Sequence, residues 1–171
     1  MTYPLASSLK QSPLRVLITG GAGFLGAALA AALVAQGASV CCLDPAHGQR
    51  LAGLAVRHVR GSVLDAPLVA QLVQEADLLF HLAAVVGVDS YLADPAEVLR
   101  VNLDGTRNAV QACLASGVPM VFASTSEVYG KNPHVLQEDS DAQYGATSVP
   151  RWSYALSKAA AEHWCHARSR D

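Results

Sequence analysis

Charge of either sign is scarce in this 171-residue chain, with 12 basic and 14 acidic residues and a formal net charge of −2. Without a basic excess, neither nucleic acid nor an anionic membrane is expected as a partner. Aromatic residues make up only 6%. Cysteine is sparse and wrongly spaced for a metal: Cys41, Cys42, Cys113 and Cys165 form no CxxC pair. They read as reduced thiols that fill space. Cys41 and Cys42 are neighbours in a strand-like run, so they point to opposite faces. His163 and His166 stand three apart with no third ligand nearby, so no metal site is expected. No apolar run reaches membrane-spanning length, and the opening MTYPLASSLKQSPLR lacks the apolar stretch of a signal peptide. These absences point to a soluble, cytoplasmic protein of one domain.

What the chain has is apolar residues, 51% of the total, in an ordered alternation. Short strand-like runs alternate with longer helical ones, the pattern of a parallel α/β sheet. After a tail over 1–14, RVLIT (Arg15–Thr19) predicts the first strand and Phe24 to Gln36 a helix closed by Gly37. SVCCLD (Ser39–Asp44) and the weaker RHVRG (Arg57–Gly61) follow as strands, then a helix from the N-cap Asp65 to about Glu75. DLLFHLAA (Asp77–Ala84) is a fourth strand, apolar on both faces. Asp94-Pro95 opens a long helix that stops at Ser116-Gly117, and VPMVFAS (Val118–Ser124) is the fifth strand. A polar loop from about Lys131 to Pro150 precedes a last helix from about Ser153. Five strands with crossovers make a doubly wound Rossmann-type sheet over 15–171. Its ligand crevice is expected between the first and fourth strands.

The first strand runs into TGGAGFLG, with Gly20, Gly23 and Gly26 spaced by three. Gly20 permits a tight turn, Gly23 lets backbone approach a pyrophosphate, and Gly26 lets helix pack on strand. The helix that starts at Phe24 and Leu25 would offer its N–H groups to the phosphates. Glycine triplets also occur for steric reasons alone, but this one sits between strand and helix, and Asp44 ends the next strand. A carboxylate there accepts hydrogen bonds from a ribose 2′-hydroxyl and repels a 2′-phosphate, so NAD is expected over NADP. Further on, Tyr154 and Lys158 are four apart and share a helix face. A phenol is a poor base near neutrality, and a neighbouring ammonium would stabilise its phenolate and lower its pKa.

TGGAGFLG, HLAA (His81–Ala84), VNLDGT (Val101–Thr106), STSEVYG and YALSK follow one another in a family's order. The chain resembles the extended short-chain dehydrogenase/reductase family, in its NAD-dependent nucleotide-sugar epimerase/dehydratase branch, from Val16 to about Ala161. The resemblance implies a Rossmann domain followed by a smaller C-terminal domain that grips the nucleotide sugar. It makes Tyr154 the base that takes the proton of the sugar C4 hydroxyl while hydride passes to NAD. Lys158 would tune Tyr154 and bind the nicotinamide ribose, and Thr125 would hydrogen-bond the C4 oxygen. Leu82, Ala83 and Ala84 would line the pyrophosphate and ribose, with Asn102 near the cofactor pocket. One departure stands in RGSVLD: Ser62 replaces the family's Asp that contacts adenine N6. Weaker adenine recognition is expected, with Val63 supplying backbone contacts.

The same resemblance bears on the reaction. In 4,6-dehydratases of this branch the Thr is followed by Asp and Glu; here Ser126 and Glu127 stand there. A hydroxyl cannot protonate a departing hydroxide as a carboxylic acid does, which disfavours dehydration. STSEVYG with RWSYALSK is more like the UDP-glucuronate decarboxylases and 4-epimerases, with Glu127 near C5 and the carboxylate. The substrate class is then a UDP-hexuronate or UDP-hexose, with a dehydratase as the alternative. A non-catalytic NAD-binding fragment or sensor is the reading from another class, although such proteins usually lose the Tyr or Lys. The two long helices are expected to form a homodimer seam. The C-terminal domain is absent from these residues, so weak NAD binding without turnover is expected of them alone.

Overall fold

The computed structural model describes residues 13–169; most of the expected tail over 1–14 lies outside the described residues. The elements run β1 (Arg15–Thr19), α1 (Phe24–Ala35), β2 (Ser39–Asp44), β3 (Val56–Arg60), α2 (Ala66–Gln74), β4 (Leu78–His81), α3 (Val88–Ala93), α4 (Pro95–Ser116), β5 (Met120–Phe122) and α5 (Trp152–Arg168). All strand pairs are parallel, in the order β3-β2-β1-β4-β5. The order reverses between β1 and β4, which opens a crevice at the C-terminal ends of those strands.

Alternation along β1 divides the core between the two faces of the sheet. Leu17 packs with Leu43, Leu79, Val69 and Val73 on the side of α2 and α4. Val16 and Ile18 pack with Val40, Cys42, Ala27 and Ala30 on the side of α1. Each fully buried Leu or Ile contributes about 1.5–3 kcal/mol. Cys41 and Cys42 fall on opposite faces, as neighbours in a strand must. Burial pushes the Cys42 thiol up to about 12 and Cys113 up to about 11, so neither is a ready nucleophile.

Helix boundaries follow local chemistry. Asp65 accepts from the Leu68 N–H at 3.1 Å and Asp94 from the Glu97 N–H at 3.0 Å, each satisfying an orphan donor of the first turn. Three features differ from the sequence expectation. The fourth strand ends at His81 rather than Ala84, because β1 ends at Thr19 and Gly20 turns away with φ 71°. Leu82 still donates to the Thr19 carbonyl at 3.1 Å, and the chain then leaves the sheet. The fifth strand spans three residues rather than seven, since Ala123 makes its last bond to the His81 carbonyl. Helix α3 is new; its six residues are too few to show a helical period.

The strand ends share one register. Thr19 pairs with His81, and His81 with Phe122, so the last residues of β1, β4 and β5 form a row across the sheet. Above this row the glycine turn is tightly built. A Cβ on Gly20 would meet the Ala83 nitrogen at 2.8 Å, and one on Gly26 would meet the Gly20 oxygen at 2.2 Å. Gly26→Ala is therefore expected to destabilise the fold by about 1–3 kcal/mol, read from the urea unfolding midpoint. An unchanged midpoint would show that the turn can open at no cost.

Candidate active site

The crevice at the strand ends holds two groups of residues. The first surrounds a cleft of about 370 Å³ lined by Gly20, Asp44, Ser62, Val63, Ala83 and Ala84 among others. Asp44 is buried, and each carboxylate oxygen accepts one backbone N–H: Ala22 at 3.1 Å and Ala46 at 2.9 Å. A carboxylate has about four acceptor positions, so two remain for a ligand hydroxyl. The Ser62 Oγ accepts from the Leu64 N–H at 3.2 Å, an internal turn contact that the sequence did not suggest. Helix α1 starts at Gly23 with no side-chain cap and no acid in its first turn. Its N-terminus thus keeps its positive end open to an anion. Phe24 and Leu25, in that turn, are exposed, while Leu82 packs into the core on the α1 side.

The second group lies beyond β5. Thr125 caps a one-turn 3-10 helix over Ser126–Tyr129 and accepts from the Glu127 N–H at 3.3 Å. The Tyr154 phenol is raised above the ordinary tyrosine range, chiefly by burial; the Thr125 hydrogen bond lowers it and the Glu127 charge raises it. So Thr125, Glu127 and Tyr154 meet at one place. One Glu127 oxygen, Oε2, is buried without a hydrogen-bond partner. The expected lowering of Tyr154 by Lys158 is not the arrangement found. Lys158 is buried, its ammonium lies over the Phe122 ring at 4.0 Å from the centroid, and burial pushes it down to about 8.

Between the two groups runs a buried hydrogen-bond chain that sequence reading missed. His81 is 1% exposed; its Nδ1 is 2.8 Å from the Thr19 Oγ1 and its Nε2 is 3.1 Å from the Thr106 Oγ1. The Thr106 hydroxyl donates to the Asn102 carbonyl at 2.7 Å, so it accepts from His81. That assigns the proton to Nε2 and lets Thr19 donate to Nδ1, while the Thr19 oxygen accepts the Ala83 N–H at 3.4 Å. Asn102 sits behind the cleft rather than on its wall. Its Oδ1 accepts from the Val85 N–H at 2.8 Å, and its Nδ2 donates to the Val85 carbonyl at 3.3 Å and the Ser157 Oγ at 3.0 Å. Ser157 in turn donates to the Tyr154 carbonyl at 2.7 Å. Asn102 thus ties the loop after β4 to the helix that carries Tyr154 and Lys158. The available signal was position: Thr19 and His81 are the last residues of strands that flank the crevice.

A glycine turn between β1 and α1, an acid ending β2 and a helix carrying Tyr154 and Lys158 beside β5 thus stand together at the C-terminal ends of the strands. The chain belongs to the NAD dependent epimerase/dehydratase family, whose profile matches residues 16–171. It is 43% identical to the UDP-N-acetyl-alpha-D-glucosaminuronate decarboxylase of Bacillus cytotoxicus over 157 residues, 88% of this chain and 49% of that protein. It is 38% identical to the dTDP-glucose 4,6-dehydratase of Mycolicibacterium smegmatis, over 87% of this chain and 47% of the relative. The crystal structure of the Bordetella bronchiseptica enzyme WbmG in complex with NAD and UDP matches with a TM-score of 0.77 and 30% identity, covering 91% of this chain and 50% of that one. The chain spans about half the length of the curated relatives it matches. Among the described residues, no helix is long and apolar enough to cross a membrane.

Burial and the neighbouring Lys158 charge push His81 down to about 3. An unfolded histidine titrates near 6.5. Between those values the unfolded chain binds a proton that the folded one refuses. Stability contributed by His81 is therefore full above pH 6.5 and falls as pH drops towards 3, by up to about 1.4 kcal/mol per pH unit. Ring NMR is expected to show His81 neutral and protonated on Nε2 from pH 8 to pH 4.5. A midpoint near 6.5 would contradict the buried chain.

Proposed function

We propose that these residues form the NAD-binding and proton-transfer half of an enzyme that oxidises C4 of a UDP-hexuronate and then releases carbon dioxide. The observation that carries the reading is the meeting of Thr125, Glu127 and Tyr154 at one place, with buried Lys158 one helical turn from Tyr154. The cofactor fits the chain. The cleft is lined by Gly20 and Asp44, Asp44 retains acceptor capacity, and the uncapped start of α1 suits a pyrophosphate. Bound NAD would supply the hydride acceptor at C4, and its positive nicotinamide would favour the Tyr154 phenolate.

Tyr154 then takes the proton of the C4 hydroxyl, and Thr125, close enough to influence its titration, holds the same oxygen. The resulting 4-ketone is β to the C6 carboxylate. The C5–C6 bond breaks, its electron pair moves towards the ketone oxygen, and a proton later returns to C5. Glu127, with an unpartnered buried oxygen, is placed to orient the carboxylate end or a water. Ser126 is exposed, and a hydroxyl in that position supplies no acid for dehydration. The 43% identity to a decarboxylase supports this reading over the dehydratase. C4 epimerisation is the second reading, since it shares the oxidation step and then needs the keto sugar to turn over and take the hydride back on its other face. The non-catalytic sensor is disfavoured because Tyr154 and Lys158 are both present.

Turnover is expected only in a chain that also carries the half present in its relatives. In such a protein, NMR of the reaction with UDP-glucuronate should show loss of C6; a C4 epimer would select the second reading, and no reduced NAD at any stage would sink both. Tyr154→Phe is expected to lower turnover by roughly 10²–10⁴ with NAD affinity kept. The 171 residues themselves should bind NAD more tightly than NADP in calorimetry, and Asp44→Ala should erode the difference. A homodimer through α4 and α5 belongs to the same proposal, supported by exposed Leu99 and Leu114 on α4 and Trp164 on α5. A monomeric mass by light scattering at micromolar concentration would count against it.

A further inference from the structure

Lys158 presents a physical problem. Its side chain is 4% exposed, yet its ammonium carries a charge for which burial is unfavourable. The contact that meets this charge is a ring: Nζ stands 4.0 Å from the centroid of Phe122, a distance at which the negative face of the ring attracts a cation. The ring is itself held. Phe122 is the last residue of β5, in register with His81, and the two rings stack with centroids 6.0 Å apart and planes 20° apart. His81 is fixed in turn by Thr19 and Thr106.

We infer that Phe122 is a positioning residue for Lys158, its ring face being the seat that keeps the ammonium charged and fixed beside the end of β5. Two features of the neighbourhood agree with this role. His81, stacked beside the Phe122 ring, is held neutral by burial and hydrogen bonds, so it adds no second cation that repels Lys158. The remaining titratable groups near Lys158 are Glu162 and Cys165 on its own helix, with Tyr154 one turn back; Glu162 and Cys165 favour the charged ammonium when ionised. Neither displaces the ring as the nearest partner of Nζ among the described contacts. The inference about Lys158 itself stands apart from the proposed reaction. Only its consequence for NAD rests on that reading, through the crevice that Lys158 shares with the cofactor.

The test is the titration of Lys158 in the 171-residue chain, followed by competitive acetylation against pH with mass spectrometry of the Lys158 peptide. Phe122→Leu keeps an apolar side chain and removes the ring, and should lower the Lys158 midpoint by about one pH unit, a roughly tenfold change. Phe122→Tyr keeps the ring face and should restore the wild-type midpoint. Because Phe122→Leu can also loosen the edge strand, phenylalanines carrying one to five fluorines at position 122 supply a series of nearly constant shape. Each added fluorine weakens the ring face, so the midpoint should fall stepwise along the series. A Lys158 midpoint that ignores both Phe122→Leu and fluorination overturns the inference. So does an equal shift in the Tyr and Leu variants. In a second arm, NAD affinity in Phe122→Leu should weaken more at pH 8.5 than at pH 6.5. An altered Lys158 midpoint with unchanged NAD affinity would uphold the seat and remove Lys158 from the cofactor site.

Discussion

The 2.8 Å contact between Thr19 and His81 is where the two halves of the crevice are joined. It links the last residue of β1 to the last residue of β4, at the point where the strand order reverses. A buried imidazole needs both nitrogens satisfied, and here two threonine hydroxyls from different elements do this. The Thr19 oxygen also receives the Ala83 N–H, which fixes the loop above the glycine turn. Through Thr106 the same chain reaches the Asn102 carbonyl on α4. The Asn102 side chain then spans to Val85 and to Ser157 beside the Tyr154 backbone. The cleft beside the glycine turn and the helix that carries Tyr154 are therefore positioned by one continuous buried network. Partial loss of such a network leaves buried donors without partners, at about 1–3 kcal/mol each.

Charge within the crevice is separated rather than paired. Asp44 stands at the end of β2, where backbone N–H groups hold it. Lys158 sits beyond β4 on an aromatic face, without a carboxylate in direct contact among the described ion pairs. The described ion pairs are on the surface, where each is worth little. His81 near Lys158 is held neutral, and an imidazolium there would repel the ammonium.

Tyr154 illustrates how environment modifies a motif. The i, i+4 spacing suggests an ammonium that depresses the phenol, yet burial and the Glu127 charge raise it. Thr125 opposes the rise, and its position depends on the 3-10 turn that follows β5.

Much was legible in the sequence because it depends on neighbours in the chain. The strands, the glycine turn and the caps at Asp65 and Asp94 are local, set by apolar period, by left-handed backbone at glycine and by orphan N–H groups. The strand-to-helix alternation implied a doubly wound sheet, and the motif order implied the Tyr154 and Lys158 helix. The short α3 was not legible, since six residues show no period, and neither were the ends of β4 and β5, which depend on where β1 turns away. The seat of Lys158 on Phe122, the tautomer of His81 and the span of Asn102 to Ser157 were also beyond a linear reading. These contacts join residues 36, 25 and 55 positions apart, and only packing of the sheet against α4 and α5 brings them within reach.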